Sequence, residues 1–172
     1  MENLQYPIGK FQFQDFFSAD TVAHCISDIE KLPGQMQKSL SHIAKEKYAI
    51  PYRPNGWNAV QLVNHIADSH ANALIRFKLG ITEDYPTVKP YREELWATLP
   101  DGMNTDLIPS LNIIDGVHKR LVLVISNMQE SDFQRKVFHP EKNADLSLYY
   151  LLQLYAWHGK HHLGHLEIIA RN

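Results

Sequence analysis

Four histidines lie within eight residues near the C-terminus, and they restrict the fold more than any other feature: His158, His161, His162 and His165. If this segment is helical, all four imidazoles fall within an arc of about 100°. Leu151, Leu154 and Ile169 lie within about 40° of His158 on the same wheel, so the histidines share the inward face. Buried imidazoles need partners for their ring nitrogens. A divalent cation meets that need, because neutral imidazole is a common ligand of Zn, Ni, Cu and Fe.

The spacing of these histidines indicates which of them can act together. His158 and His162 are four residues apart, as are His161 and His165, and on a helix such pairs stack on one face. Metalloprotease motifs hold zinc from one helix with this spacing. The general-base glutamate of those motifs is missing from the sequence, which excludes a peptidase of that kind. The pattern predicts a metal site to which the last helix contributes two ligands.

A three-ligand site needs one further histidine, and the residues alone leave three candidates. His70 and His118 lie on the apolar stripes of the second and third predicted helices, whereas His65 lies in a polar stripe with Asn58 and Arg76. Periodicity therefore predicts that His65 is at the surface. The alternative is that this stripe lines a cavity at the mouth of a bundle. His118 is equally suited to donate a hydrogen bond to a ligand or to pack in the core.

Helical periodicity extends over most of the chain and predicts four long helices. A helix start is predicted at Ser18-Ala19-Asp20 and another at Pro109-Ser110. Because proline removes a backbone hydrogen bond, Pro33-Gly34 is expected to kink or break the first helix. The predicted helices cover about 18–47, 57–80, 109–128 and 145–170.

Two connections complete the predicted architecture. Residues 81–108 form a long one with room for a short helix at 92–99, and residues 131–143 form a loop that turns at His139-Pro140. The long connection allows the second and third helices to run parallel. The sequence therefore predicts an all-α fold, a four-helix bundle with up-down-down-up topology, in a single domain that covers 1–172.

Composition excludes several function classes. The 172 residues are 44% hydrophobic with a net charge of −2, so neither a nucleic-acid partner nor a membrane partner is expected. No apolar run is long enough to cross a bilayer, and residues 1–5 lack the regions of a signal peptide. The single cysteine, Cys25, lies at helical spacing from apolar residues and is predicted to be a buried thiol. One cysteine fits a reducing cytoplasm, so the protein is expected to be cytoplasmic.

Two segments resemble the signature of a known family. Residues 57–70, WNAVQLVNHIADSH, and 155–162, YAWHGKHH, look like the DinB/YfiT-like metalloprotein superfamily, in particular its YfiT branch. The resemblance implies metal ligation by His65, His158 and His162, and a homodimer. Asn64 departs from the branch, which can carry a second histidine there, but this position is not a ligand. Further matches lie at 6–9, 51–53, 76–79, 89–91 and 139–140.

Three neutral histidines leave a zinc ion with its charge intact and one coordination position open. Such an ion, Zn or alternatively Ni, can lower the pKa of a bound water or bind and deprotonate a thiol. The resemblance implies the same choice: a metal-dependent hydrolase that activates water, or a bacillithiol-transferase-like enzyme that joins a low-molecular-weight thiol to a small-molecule substrate. A non-enzymatic metal-binding stress-response domain is the remaining alternative.

Two residues are candidates for catalysis beyond the metal. Arg76 follows His65 on the same polar stripe and is suited to bind a carboxylate of the substrate or thiol. It is equally suited to a surface position or a structural salt bridge. His161, like His165, can orient a ligand or act as a base, or it can simply pack in the core.

Overall fold

Four long helices form the structure, a computed structural model that describes residues 2–171 and side chains from residue 4 onward. The long helices are α2 (Ala19–Ser41), α3 (Ala59–Thr82), α5 (Ile108–Ser126) and α7 (Leu148–Arg171); the short ones are α1 (Glu2–Gln5), α4 (Glu93–Trp96) and α6 (Glu130–Phe133); two strands, β1 (Lys136–His139) and β2 (Ala144–Ser147), precede α7. Helix α2 packs against α5 and α7, and α3 packs against the same two helices. The four-helix bundle is confirmed, while its up-down-down-up order and its single domain stay predictions.

Side-chain caps fix the starts of two long helices. The hydroxyl of Ser18 accepts a hydrogen bond from the backbone of Thr21, which starts α2 where the sequence predicted. At α3 the cap is reciprocal, because Asn58 accepts from the backbone of Gln61 and the side chain of Gln61 accepts from the backbone of Asn58. This cap sets the register of α3 and therefore the direction in which its histidines point.

Helix α2 ends earlier than predicted, and Pro33 does not break it. It runs through Pro33 and ends at Ser41, and Lys45–Lys47 forms a separate 3₁₀ turn. The kink at Pro33, the other predicted outcome, stays a prediction. Proline has no N–H to donate to the carbonyl four residues earlier, that of Ile29. In the structure the Nδ1–H of His118 donates to this carbonyl at 2.5 Å. A side chain of α5 thus replaces the missing helical hydrogen bond, and no pattern in the sequence of α2 reveals it.

The connection before α7 contains a β-hairpin, so the all-α prediction was wrong in this segment. Strand β1 pairs antiparallel with β2, and Val137 lies opposite Leu146 with both side chains buried. Each strand has four residues, which is too short for alternation to be read reliably. Strand β1 also pairs with the long connection, because Val88 donates to the carbonyl of Phe138. This pairing brings the 86–91 segment next to the end of β1.

A layer of histidines crosses the bundle between two apolar clusters. The first cluster includes Phe77, Leu121 and Leu148, and the second includes Met36 and Leu62. The histidine layer consists of seven rings joined by ring contacts: His65, His70, His118, His158, His161, His162 and His165.

Cys25 lies in the first cluster, as predicted. Burial, followed by the charge of Asp28, raises the pKa of its thiol to about 11, so this cysteine is not a nucleophile near neutral pH. None of the helices in the described part of the chain is long and apolar enough to cross a membrane.

Candidate metal site

Three histidines from two helices meet in the histidine layer. His65 comes from α3, and His158 and His162 lie one turn apart on α7; one ring nitrogen from each lies within 4.8 Å of the others. The Nε2 atoms of His65 and His158 are 3.1 Å apart. Two nitrogens bound to one zinc at the usual distance are separated by about 3.3 Å in a tetrahedral site. His65 and His158 therefore have the spacing of two ligands of a single divalent ion, and His162 offers a third ring nitrogen within 4.8 Å. We call His65, His158 and His162 the histidine trio.

Burial keeps the trio neutral. It lowers the pKa of His65 to about 4, with a further contribution from His161. Burial, reinforced by the neighbouring histidines, also holds the pKa of His158 and of His162 well below the ordinary value of 6.5. Each ring therefore carries one hydrogen and one lone pair near neutral pH, which is the form that binds a metal.

A backbone carbonyl determines which nitrogen of His162 holds the lone pair. The Nε2 of His165 lies 3.2 Å from the carbonyl oxygen of Gln5, and because a carbonyl can only accept, this nitrogen carries the hydrogen. The Nδ1 of His165 is then an acceptor, and it lies 3.3 Å from the Nδ1 of His162. His162 must donate from Nδ1, so its lone pair is on Nε2. Tyr52 stacks on the ring of His165 at 3.9 Å and holds it in place.

A second pair of histidines supports His158. The Nδ1 of His158 lies 3.4 Å from the Nε2 of His70, on the side of the ring away from His65. When a metal takes the Nε2 lone pair of His158, its Nδ1 carries the hydrogen and donates to His70. The ring of His70 stacks on that of His118 with an interplanar angle of 4°, and His118 is held by the carbonyl of Ile29. His70 and His118 thus orient the trio and do not join it.

Of the three candidates for the third ligand, His65 is the one that lies close to both His158 and His162. This residue is 4% exposed, so the prediction from periodicity that it lies at the surface was wrong. Ser69 and Arg76 of the same polar stripe line a cavity of about 340 Å³ beside the trio, which agrees with the alternative interpretation of that stripe. That the trio binds a metal stays a prediction.

The two catalytic candidates both border this cavity. His161 is buried against Trp157, whose ring lies 4.5 Å away, and burial lowers its pKa to about 4. Its Nδ1 has no hydrogen-bond partner among the described residues, and with His162 and His165 it forms a second group of nitrogens within 4.8 Å. A base with so low a pKa is weak near neutral pH.

Arg76 is half-buried and pairs with no carboxylate in the described part of the chain, so the salt-bridge interpretation was wrong. Its Nη1 donates to the hydroxyl of Tyr155 at 2.7 Å and its Nη2 to the carbonyl of Lys89 at 3.2 Å. Sequence reasoning missed two further residues of the cavity, His139 and Lys142. In the sequence, the His139-Pro140 dipeptide indicates a turn and no site residue.

The chain is similar in sequence to proteins of one known superfamily. The model of the DinB superfamily matches residues 28–166. A Bacillus cereus (strain B4264) protein named "Putative metal-dependent hydrolase" is 40% identical over 172 residues, covering 99% of this chain and 98% of its own. A protein of the same name from Geobacillus kaustophilus (strain HTA426) is 41% identical over 171 residues, covering 99% and 96%.

Two solved structures share the fold. YfiT from Bacillus subtilis, described as "a probable metal-dependent hydrolase with an unusual four-helix bundle topology", superposes with a TM-score of 0.94 at 33% identity and covers 98% of this chain and 97% of its own. A mycothiol-dependent maleylpyruvate isomerase superposes with a TM-score of 0.64 at 14% identity, covering 83% of this chain and 59% of its own. The second likeness concerns the fold alone.

Proposed function

This chain belongs to the DinB superfamily, and from that premise we propose that it is a metal-dependent hydrolase whose ion is held by His65, His158 and His162. One observation carries the proposal: three neutral imidazoles, those of His65 and His162 buried and that of His158 partly exposed, present nitrogens within 4.8 Å of one another beside a cavity. The names of relatives that share 39 to 41% of its residues support the same reaction class.

The donor set favours a catalytic over a structural ion. Structural zinc sites are closed and rich in cysteine, whereas Cys25 lies in the first apolar cluster, away from the trio. When bound, a zinc or nickel ion with three neutral ligands keeps its full charge and an open position, so it can lower the pKa of a water or a thiol.

The residues around the trio hold it in one geometry. His165 and His70 orient His162 and His158 through the hydrogen bonds described above. Trp57 packs against His65 at 4.7 Å between ring centroids and also lines the cavity. A small-molecule substrate in the cavity lies next to His158 and His162, while the packed apolar clusters keep bulk water away from the other sides of the trio.

A thiol S-transferase is the second candidate, and the donor set is compatible with it. The cavity of about 340 Å³, with aromatic walls that include Tyr155 and Trp157, has the size of a small-molecule site. Thiolate is also a ligand that zinc favours. The two candidates share the histidine trio and differ in the nucleophile that occupies the cavity.

Metal analysis tests the ligand assignment. We expect one equivalent of zinc per chain in the wild type, and loss of stoichiometric zinc in His65→Ala, His158→Ala and His162→Ala. The matched controls are His24→Ala and His42→Ala, since both histidines are exposed on or next to α2. Full zinc occupancy in all three trio variants would show that the assignment is wrong.

Turnover assays then separate the reactions. Metal-dependent hydrolysis of aryl esters without added thiol would support the hydrolase. Conjugation of a haloarene that requires both metal and a thiol would support the transferase. Absence of both reactions with zinc and with nickel would favour the non-enzymatic metal-binding domain. Light scattering of the same preparations tests the homodimer, which we also propose from the family resemblance.

A further inference from the structure

Three basic residues from separate parts of the chain line one cavity. Arg76 comes from α3, His139 ends β1, and Lys142 lies in the 3₁₀ turn that follows. The hairpin that sequence reasoning missed is what brings the last two residues beside the first. His158 and His162 of the trio line the same cavity. We call Arg76, His139 and Lys142 the basic wall.

Arg76 has hydrogen-bonding capacity that the protein does not use. Two of the five guanidinium N–H groups have acceptors, the hydroxyl of Tyr155 and the carbonyl of Lys89, and both acceptors are uncharged. The Nε atom is buried and has no partner among the described residues. A half-buried guanidinium stays charged at any ordinary pH, and partial desolvation of a charge is costly unless an opposite charge compensates for it. Within the described structure that compensation is missing.

The other members of the wall add one positive charge, from Lys142, and one hydrogen-bonding group, from His139. His139 is 5% exposed and its Nδ1 has no hydrogen-bond partner among the described residues. Burial, then the charges of Arg76 and Lys142, lower the pKa of His139, so it is a neutral hydrogen-bonding group. One acid, Glu93, also lines the cavity. Burial, followed by the charge of the nearby Glu94, raises the pKa of this carboxyl.

We propose that the cavity binds a substrate bearing a carboxylate group, which pairs with the guanidinium of Arg76 while His139 and Lys142 lie beside it. A planar guanidinium can bind a carboxylate through two parallel hydrogen bonds. The basic wall and two members of the trio, His158 and His162, line one cavity of about 340 Å³, so a small acid held at the wall has its reacting group near the trio. This inference rests on the proposed function for the reaction and names the substrate class.

Binding to the metal-free protein isolates the wall from the trio, because a carboxylate can also bind a metal directly. The probes are succinate, its neutral analogue succinamide, and inorganic phosphate, added to protein in the presence of a chelator. Trp57 and Trp157 line the cavity, so their fluorescence reports occupancy. We expect saturable binding of succinate and little binding of succinamide. Equal binding of the two would overturn the proposal, and tighter binding of phosphate would overturn the choice of carboxylate.

Variants assign the binding to the wall. Loss of a charge-assisted pair in Arg76→Gln should weaken succinate binding about tenfold or more. Lys142→Gln, an exposed position with little risk to folding, should weaken it by a smaller factor. The matched control is Arg120→Gln, exposed on α5, which should bind like wild type. Unchanged succinate binding in Arg76→Gln would refute the proposal.

Kinetics separates failure of this inference from failure of the proposed function. The zinc-loaded protein is given the aryl ester of a diacid, which keeps one free carboxylate, and a neutral aryl ester of the same length. We expect the acidic ester to have the higher kcat/KM, and Arg76→Gln to remove this preference. Succinate binding without any metal-dependent turnover would contradict the hydrolase and leave the wall intact. Turnover without preference for the acidic ester would contradict the wall and leave the hydrolase intact.

Discussion

Replacing His165 with alanine tests whether the carbonyl of Gln5 prepares His162 to bind a metal. His165 is 2% exposed, so bulk water has little access to its position. Without its ring, the Nδ1–H of His162 loses the acceptor that lies 3.3 Å away. The hydrogen of His162 is then free to move to Nε2, where it blocks the lone pair that a metal requires. We expect His165→Ala to bind zinc more weakly than wild type.

The magnitude follows from one buried hydrogen bond. Such a bond contributes about 1 kcal/mol net, and a buried donor left unpaired costs about 1–3 kcal/mol. The two hydrogen bonds of the His165 ring measure 3.2 and 3.3 Å, at the long end of the usual range, so the expected loss is about 1.5–2.5 kcal/mol. This corresponds to a Kd for zinc that is roughly 10- to 70-fold higher. Residues that orient metal ligands typically contribute about 10- to 100-fold.

Competition with a chromophoric chelator measures the zinc affinity. His165→Gln is the rescue variant, because its side-chain carbonyl can accept from the Nδ1–H of His162. His24→Ala, exposed on α2, is the control and should match wild type. Nitrogen-15 NMR of the metal-free protein adds a direct readout, since His162 should carry its hydrogen on Nδ1. Zinc affinity of His165→Ala within twofold of wild type, or a wild-type hydrogen on Nε2 of His162, would refute the reasoning.

Three further predictions concern the scaffold of the site. His118→Leu leaves the carbonyl of Ile29 unpaired and should lower the free energy of unfolding by about 1–3 kcal/mol. In a Pro33→Ala background, where residue 33 regains its N–H, the same change should cost less. Equal costs in the two backgrounds, measured by chemical denaturation, would contradict this. Burial lowers the pKa of His118 below 6.5, so below that pH the unfolded chain takes up a proton that the folded protein excludes. The free energy of unfolding of metal-free wild type should therefore fall as the pH drops below 6.5. In His118→Leu the slope of this fall should be shallower, by at most about 1.4 kcal/mol per pH unit. Gly80→Ala would place a Cβ 2.6 Å from a methyl of Leu148 and should destabilise the protein by about 1–3 kcal/mol. Gly116→Ala, whose Cβ would meet nothing within 4 Å beyond its chain neighbours and its own helix backbone, should not show that loss in thermal unfolding.

The inward face of α7 could be predicted from the sequence because apolar residues and histidines recur with one period. His161, His162 and His165 are all buried, as that face requires. The same method failed for His65, because a helical wheel divides a helix into one apolar side facing the core and one polar side facing water. In this bundle part of the polar stripe of α3 faces a cavity, so residues such as Ser69 and Arg76 are polar without being on the outer surface.

Contacts between distant segments explain the remaining differences. The hairpin of β1 and β2 has strands too short to produce a period, and its position depends on pairing with the 86–91 segment. The basic wall depends on that hairpin, so His139 and Lys142 could not be placed from the sequence. Continuity of α2 through Pro33 depends on a donor some ninety residues later, His118. In each case the partner lies beyond the window in which local patterns operate.

Both ends of the histidine layer are anchored in the same physical way. A helical carbonyl accepts from an imidazole because it lacks the intrahelical donor that would normally occupy it. For Ile29 the donor is missing because residue 33 is proline, and for Gln5 it is missing because α1 ends at that residue. Each carbonyl fixes one hydrogen on one ring, His118 or His165. At the Gln5 end, the fixed hydrogen of His165 fixes the hydrogen of His162 in turn. A four-residue helix at the start of the chain thus determines which nitrogen of a proposed metal ligand near its end holds the lone pair.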